Sequence, residues 1–139
     1  FTPVASDATR VAALLSGQVD LAWPVPVQDV PRIERTAGLR VIEELELRTV
    51  FLGFDQSRAE LQHSDVRGRN PLADARVREA MYRAVDIVAI QRTVMRGKSR
   101  PTALLNGPGI EGFSDTVDAT RPGFDRARAR ALLAEAGYP

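Results

Sequence analysis

The sequence contains no cysteine, a single histidine, His63, and a single tryptophan, Trp23, among its 139 residues. The absence of cysteine excludes disulfides, thiol nucleophiles and cysteine-bound zinc. No run of about 18 apolar residues occurs, so the sequence predicts no membrane-spanning helix. The sequence also has no large excess of one charge, since it contains 19 basic and 18 acidic residues. Such a balance gives no argument for a nucleic-acid-binding surface.

The polar residues do not form a catalytic or metal-binding pattern. His63 lies in the polar stretch 55–70 without a second histidine for a metal pair, and we interpret it as an exposed loop residue. Asp20 could bind a cation or an amine, but an aspartate between a helix and a strand more often accepts from backbone amides. The glycines around 107–109 fit neither the GxGxxG nor the GxxxxGK[ST] spacing of nucleotide-binding loops. We therefore expect no cofactor, no metal and no enzymatic activity.

Capping residues and apolar periodicity predict alternating helices and strands. Side chains able to cap a helix precede apolar residues at helical spacing. This predicts helices beginning at Ser6 or Asp7, at Asp74, at Asp86 and at Asp125, and another over about 28–36. Apolar alternation or continuous apolar residues predict strands over 19–23, 39–45 and 47–54. Residues 98–123, rich in glycine and proline, are predicted to form a loop. This order of elements is typical of part of an α/β fold.

Two residues are candidates for contact with a ligand. Trp23 ends a predicted strand beside two prolines, and its ring could either pack in a core or present an apolar surface to a ligand. Arg48 opens the apolar segment 47–54. Its forked donors could bind a ligand carboxylate, or the side chain could form a surface ion pair with Glu44 or Glu46. Residue spacing leaves both alternatives open for each side chain.

Three stretches resemble a known bacterial family. Residues 7–20 read DATRVAALLSGQVD and are similar to a family helix followed by SG-x-[VI]-D. Residues 70–81 read NPLADARVREAM and resemble P-[FL]-x-D-x-R-V-R-x-A. Residues 124–138 read FDRARARALLAEAGY and resemble Y-D-P-x-[KR]-A-[KR]-x-L-L-x-E-A-G-[YF], although Arg126 replaces the usual proline, and Asp55 stands where many members carry asparagine. In this order and at these separations, the motifs resemble the extracellular solute-binding proteins of family 5, the peptide- and nickel-binding proteins of ABC importers.

The resemblance implies a type II periplasmic-binding-protein fold, in which two α/β lobes with a mixed sheet and flanking helices close around a ligand. Members are several times longer than this chain, so we expect an internal fragment. Residues 1–45 would be part of the N-terminal lobe, 46–55 a hinge strand, and 56–139 the beginning of the second lobe. In relatives, the segment after the VD strand and the hinge strand contribute to the ligand cleft. Four residues of this chain match these segments and would contact the ligand: Trp23, Pro24, Arg48 and Phe51.

The resemblance also implies a function and partners. The protein would bind a small solute, an oligopeptide or dipeptide, by closing its lobes, and would deliver it to an ABC permease in the inner membrane, with no nucleic acid as partner. It would not itself span the membrane. Its location would be periplasmic or extracytoplasmic, with a lipid anchor as one option in the full-length protein. The alternative is a solute-sensing domain of a regulator or receptor built on the same fold, and a helical interaction module is a third hypothesis.

Overall fold

The computed structural model describes residues 1–44 and 46–138. Leu45, at the end of a predicted strand, and Pro139 lie outside the described residues. In chain order the helices are α1 Asp7–Leu15, α2 Val30–Glu34, α3 Ala75–Ala84, α4 Ile87–Ala89, α5 Asp115–Asp118 and α6 Arg126–Glu135. The 3-10 turn Pro71–Ala73 precedes α3, and the π turn Ile90–Val94 continues α4. The other described residues are turns, bends and extended segments.

The predicted sheet is not found in the described residues. Residues 19–23, 39–44 and 46–54 are extended or bent and form no strand ladder. The expected α/β class, with a mixed sheet and flanking helices as part of a type II two-lobe fold, is therefore wrong for this structure. The physical reason is that a strand exists only through hydrogen bonds to a neighbouring strand. Apolar spacing indicates which side chains favour burial and carries no information about that partner.

The predicted helix starts are confirmed by their capping side chains. The side-chain oxygens of Ser6, Asp74, Asp86 and Asp125 each accept a hydrogen bond from a first-turn amide, at distances of 2.8 to 3.3 Å. Each bond satisfies one of the amides that have no partner inside the helix. Local side-chain chemistry therefore determines where these helices begin.

Two predicted extents differ from the structure. The helix expected over about 28–36 is the shorter α2, and Gly38, with φ of 82°, follows it in the left-handed region. The segment 98–123, predicted to be a loop, contains α5, whose cap is the Ser114 hydroxyl accepting from the amide of Val117 at 3.4 Å. Both differences concern single helical turns, which apolar periodicity cannot resolve because one turn contains no repeat.

The described chain divides into two compact units. The first comprises Phe1–Glu46 and Gln91–Ser99, and the second comprises Leu47–Ile90 and the residues from Arg100 onward. In the first unit Val11 and Leu14 of α1 bury their side chains against Ile33 of α2. Partly buried side chains cover this cluster: Leu15, Val19, Ala22, Val25, Leu39 and Val41. The two helices of the first unit therefore share one small apolar core.

The second unit is organised by the packing of α3 on α6. Ala80, Ala129 and Leu132 form the buried cluster at this contact. Two alanines at the crossing let the helix backbones approach closely. Arg76 Nη1 donates to the carbonyl oxygen of Glu135 at 2.7 Å, which satisfies an acceptor at the carboxyl end of α6. Apolar contact and end-capping thus hold the same pair of helices together.

Candidate ligand cleft

A cleft of about 620 Å³ opens on the first unit. One wall is the extended segment Phe1–Ala5, and the other is formed by Trp23 and Pro24. The side chain of Arg10, on α1, completes the lining. Apart from Arg10 and Thr2, the lining side chains are apolar. The cleft therefore suits a solute part that carries apolar surface.

Trp23 faces this cleft and not the core of the first unit. Val19, Ala22 and Val25 pack against the buried cluster, whereas Trp23 is 78% exposed. The peptide bond between Trp23 and Pro24 is cis. The Trp23 ring is therefore exposed and does not pack in the core of the first unit.

Arg10 connects the two walls of the cleft. Its Nε donates to the carbonyl oxygen of Pro24 at 2.9 Å, and its Nη1 donates to the carbonyl oxygen of Val4 at 2.7 Å. Its Nη2 forms an ion pair with the carboxylate of Asp7 in the first turn of α1. All three guanidinium nitrogens have partners, so Arg10 is a structural link and not a free cation in the cleft. Residue types and spacing in the sequence do not indicate this role for Arg10.

Arg48 and Phe51 lie in the second unit, on the extended segment that follows Glu46. Both side chains are exposed, Phe51 by 64%. The segment is attached through Thr49, whose hydroxyl donates to the carbonyl oxygen of Leu105 at 2.7 Å. The structure therefore brings Trp23 and Pro24 together in one cleft, and it places Arg48 and Phe51 on a separate exposed segment of the other unit.

The polar stretch after this segment is folded by side chains that bind the backbone. Asp55 accepts from the hydroxyl and the amide of Ser57 at 3.0 and 3.1 Å. The Ser57 hydroxyl is the main reason that the pKa of Asp55 lies below its usual value. Asn70 Nδ2 donates to the carbonyl oxygens of Asp55 and Arg58 at 2.9 and 2.8 Å. His63 is exposed within this loop, as predicted.

Asp118 organises a second loop in the same unit. Its carboxylate accepts from the Thr102 hydroxyl and the Ala103 amide, both at 2.7 Å, and from Arg100 Nη2 at 2.9 Å. The hydrogen bond from Thr102 is the largest cause that lowers the pKa of Asp118. Only 9% of the carboxylate side chain is exposed. The loop before α5 is therefore held by one well-bonded carboxylate.

Two kinds of feature are not found in the described chain. Within residues 1–44 and 46–138, no group of three histidine, aspartate or glutamate side chains is placed to hold a metal ion. Nor does that part of the chain contain a helix of sufficient length and apolarity to cross a membrane.

The sequence matches the family described as bacterial extracellular solute-binding proteins, family 5 Middle, over residues 1–139. Because the match covers the whole sequence, the chain belongs to this family. The resemblance inferred from the motifs at residues 7–20, 70–81 and 124–138 is confirmed.

Individual relatives align with most or all of the chain at 25% to 35% identity. The chain is 35% identical, over 128 residues, to the probable deoxycholate-binding periplasmic protein YgiS of Escherichia coli (strain K12), covering 88% of this chain and 21% of that protein. It is 25% identical, over 140 residues, to the glutathione-binding protein GsiB of Escherichia coli (strain K12) and to GsiB of Shigella dysenteriae serotype 1 (strain Sd197). Both alignments cover 100% of this chain and 24% of the relative. The chain thus spans less than a quarter of the length of these relatives.

Proposed function

We propose that the chain is part of the solute-binding component of an ABC importer. The component captures a small solute in the periplasm and delivers it to a permease in the inner membrane. Membership of the family of extracellular solute-binding proteins supports this function, as do relatives whose names are those of binding proteins. The role is binding and not catalysis. A lipid anchor on the intact protein is compatible with this role.

The mechanism that we propose is closure of two lobes around the solute. Residues 1–45 belong to the N-terminal lobe, residues 46–55 to the connection, and residues 56–139 to the second lobe. A solute stabilises the closed state only by making contacts there that the open state lacks. The change of compact unit after Glu46 supports the first boundary, although Gln91–Ser99 falls in the first unit.

The single observation that carries the proposal is the exposed Trp23 ring in the cleft of the first unit. A tryptophan ring offers a large contact area and loses little conformational entropy on binding, because it has only two rotatable bonds. We propose that Trp23 and Pro24 contact the apolar part of the solute. Arg48 and Phe51 are the proposed contacts from the connecting segment, with the Arg48 guanidinium suited to a solute carboxylate.

The narrower proposal is that the solute is an oligopeptide or dipeptide. Glutathione, in the name of one relative, is a tripeptide and supports this class. Deoxycholate, in the name of another, is a steroid carboxylate and favours a bulkier apolar solute. Titration of the intact protein with a dipeptide series, glutathione and deoxycholate separates these classes. Binding of deoxycholate alone would contradict the peptide proposal while leaving solute binding in place.

The test of the site is Trp23→Ala in the intact protein, with Leu21→Ala as the matched control. Leu21 is a similarly exposed apolar residue of the same segment that does not line the cleft. Trp23→Ala should weaken solute affinity by roughly tenfold or more, as expected when a central aromatic contact is truncated. Stability should change by less than about 1 kcal/mol, because the ring is exposed. A large loss of stability with unchanged affinity would show that Trp23 is a core residue.

A further inference from the structure

We propose that Arg10 is a positioning residue that fixes the spacing between the two walls of the Trp23 cleft and thereby sets its solute affinity. The inference rests on the proposed function, in which this cleft receives the solute. Its structural part, the fixing of the walls, can be tested without any solute.

The geometry assigns this role to Arg10 because a single planar group reaches three segments. The acceptors are the carbonyl oxygen of Val4 on one wall, the carbonyl oxygen of Pro24 on the other, and the carboxylate of Asp7 at the start of α1. Among residues 1–44, no backbone hydrogen bond joins the Phe1–Ala5 wall to the wall of Trp23 and Pro24. The Arg10 guanidinium is therefore the polar link between them.

The two wall bonds matter more than the ion pair. The Arg10 side chain is only 13% exposed, and its bond to the Val4 carbonyl oxygen is partly buried. The Asp7 side chain is 61% exposed, and an ion pair with such a carboxylate contributes little. The carbonyl oxygens of Val4 and Pro24 instead fix the guanidinium from two directions. Loss of Asp7 should therefore disturb the cleft much less than loss of Arg10.

Lysine cannot replace Arg10 in this arrangement. The guanidinium directs Nε and Nη1 to separate acceptors from one rigid plane. An ammonium has a single nitrogen at the end of a flexible stem and cannot reproduce the directions of both bonds. Arg10→Lys thus keeps the charge while removing the fixed spacing, which distinguishes a positioning role from a purely electrostatic one.

The arrangement also indicates which part of the solute lies in this cleft. Three of the five N–H donors of the Arg10 guanidinium are engaged, by Pro24, Val4 and Asp7, and the charge of the group is paired with that of Asp7. The lining of the cleft is apolar apart from Arg10 and Thr2, which favours an apolar solute part against Trp23. Loss of Arg10 should lower the affinity for every solute that the protein binds, whether or not the solute carries a carboxylate. If Arg10 instead contacted a solute carboxylate directly, its loss would lower the affinity for anionic solutes only.

The experiment compares Arg10→Gln, Arg10→Lys and Asp7→Asn in the intact protein labelled with 5-fluorotryptophan. The ¹⁹F resonance of Trp23 is assigned by its disappearance in Trp23→Phe, and far-UV circular dichroism checks that each variant folds. We expect one sharp Trp23 resonance in the wild type and in Asp7→Asn. Both Arg10 variants should broaden or split it, because the Trp23 wall is no longer held. Calorimetric titration with glutathione, deoxycholate and a C-terminally amidated dipeptide, which carries no carboxylate, should show roughly tenfold weaker affinity in both Arg10 variants for each solute that the wild type binds.

The results separate the inference from the proposed function. An unchanged, sharp Trp23 resonance in Arg10→Gln and Arg10→Lys would overturn the positioning role, whatever the protein binds. Full recovery of the sharp resonance in Arg10→Lys alone would also overturn it, since charge would then be sufficient. A broadened resonance in both variants supports the role even if the wild type binds none of the three solutes, an outcome that would count against the proposed function only.

Discussion

Replacing Leu132 by alanine tests the contact between α3 and α6, which organises the second unit. Leu132 is 2% exposed and packs against Ala80 and Ala129. The substitution removes three carbon atoms from a buried side chain, and the lost transfer free energy is about 2.4 kcal/mol at about 0.8 kcal/mol per carbon. The neighbouring alanines have one methyl group each, so rotation of their side chains cannot fill the space. A cavity contribution therefore raises the expected loss of unfolding free energy to about 3–4 kcal/mol.

The matched control is Leu105→Ala, the same chemical change at a side chain that is 68% exposed in a loop of the same unit. Its loss should stay within about 0.5 kcal/mol. The assay is native-state hydrogen exchange of the intact protein, read on peptides that cover Ala75–Ala84 and Arg126–Glu135. A loss of 3–4 kcal/mol in local opening free energy corresponds to roughly 100- to 1,000-fold faster exchange of these helices.

The Leu105 control should leave the exchange of both helices within about threefold of the wild type, the equivalent of its smaller loss. Equal exchange in Leu132→Ala and Leu105→Ala would refute the reasoning, because burial at the contact between α3 and α6 would then not determine the stability of the second unit.

Two further predictions concern carboxylates that bind backbone amides. Asp125→Ala removes the cap of α6 and should reduce the stability of this helix by about 1 kcal/mol, measured by its hydrogen exchange. The control is Asp115→Ala, at an exposed position. An equal effect of both substitutions on α6 would contradict the capping role. Because the pKa of Asp118 is lowered, its carboxylate should stabilise the loop before α5 above its usual pKa, and that contribution should be lost as the pH falls through the lowered value. Asp118→Asn should remove this acid-dependent step from a pH titration of loop order by NMR, and a step of unchanged size would contradict the assignment.

The helix starts could be predicted because they depend on neighbours in the sequence. The oxygen of Ser6, Asp74 or Asp125 reaches an amide only two or three residues away, so the residue types and their spacing contain the information. The strands could not be predicted in the same way. Residues 47–54 have the apolar character of a covered strand, but a ladder needs a partner strand, and residue composition does not identify that partner.

The same distinction separates Trp23 from Arg10 in the cleft. Trp23 could be proposed from its residue type and its place after a motif of the family. Arg10 lies inside that motif, yet its wall acceptors are the backbone carbonyl oxygens of Val4 and Pro24. Carbonyl oxygens are present at every residue, so no residue type signals this contact. The one local signal was Asp7, three residues before Arg10, which is a favourable spacing for an ion pair on a helix.

The proposed solute contacts differ in how well they are prepared for binding. A surface that is ordered before the solute arrives loses less conformational entropy on binding. The wall of Trp23 and Pro24 is held by the partly buried side chain of Arg10, whereas the segment that carries Phe51 is exposed along most of its length. Trp23 should therefore contribute more to affinity than Phe51. Unchanged affinity in Trp23→Ala would count heavily against the proposed site, while unchanged affinity in the corresponding Phe51 variant would remove only the weaker contact.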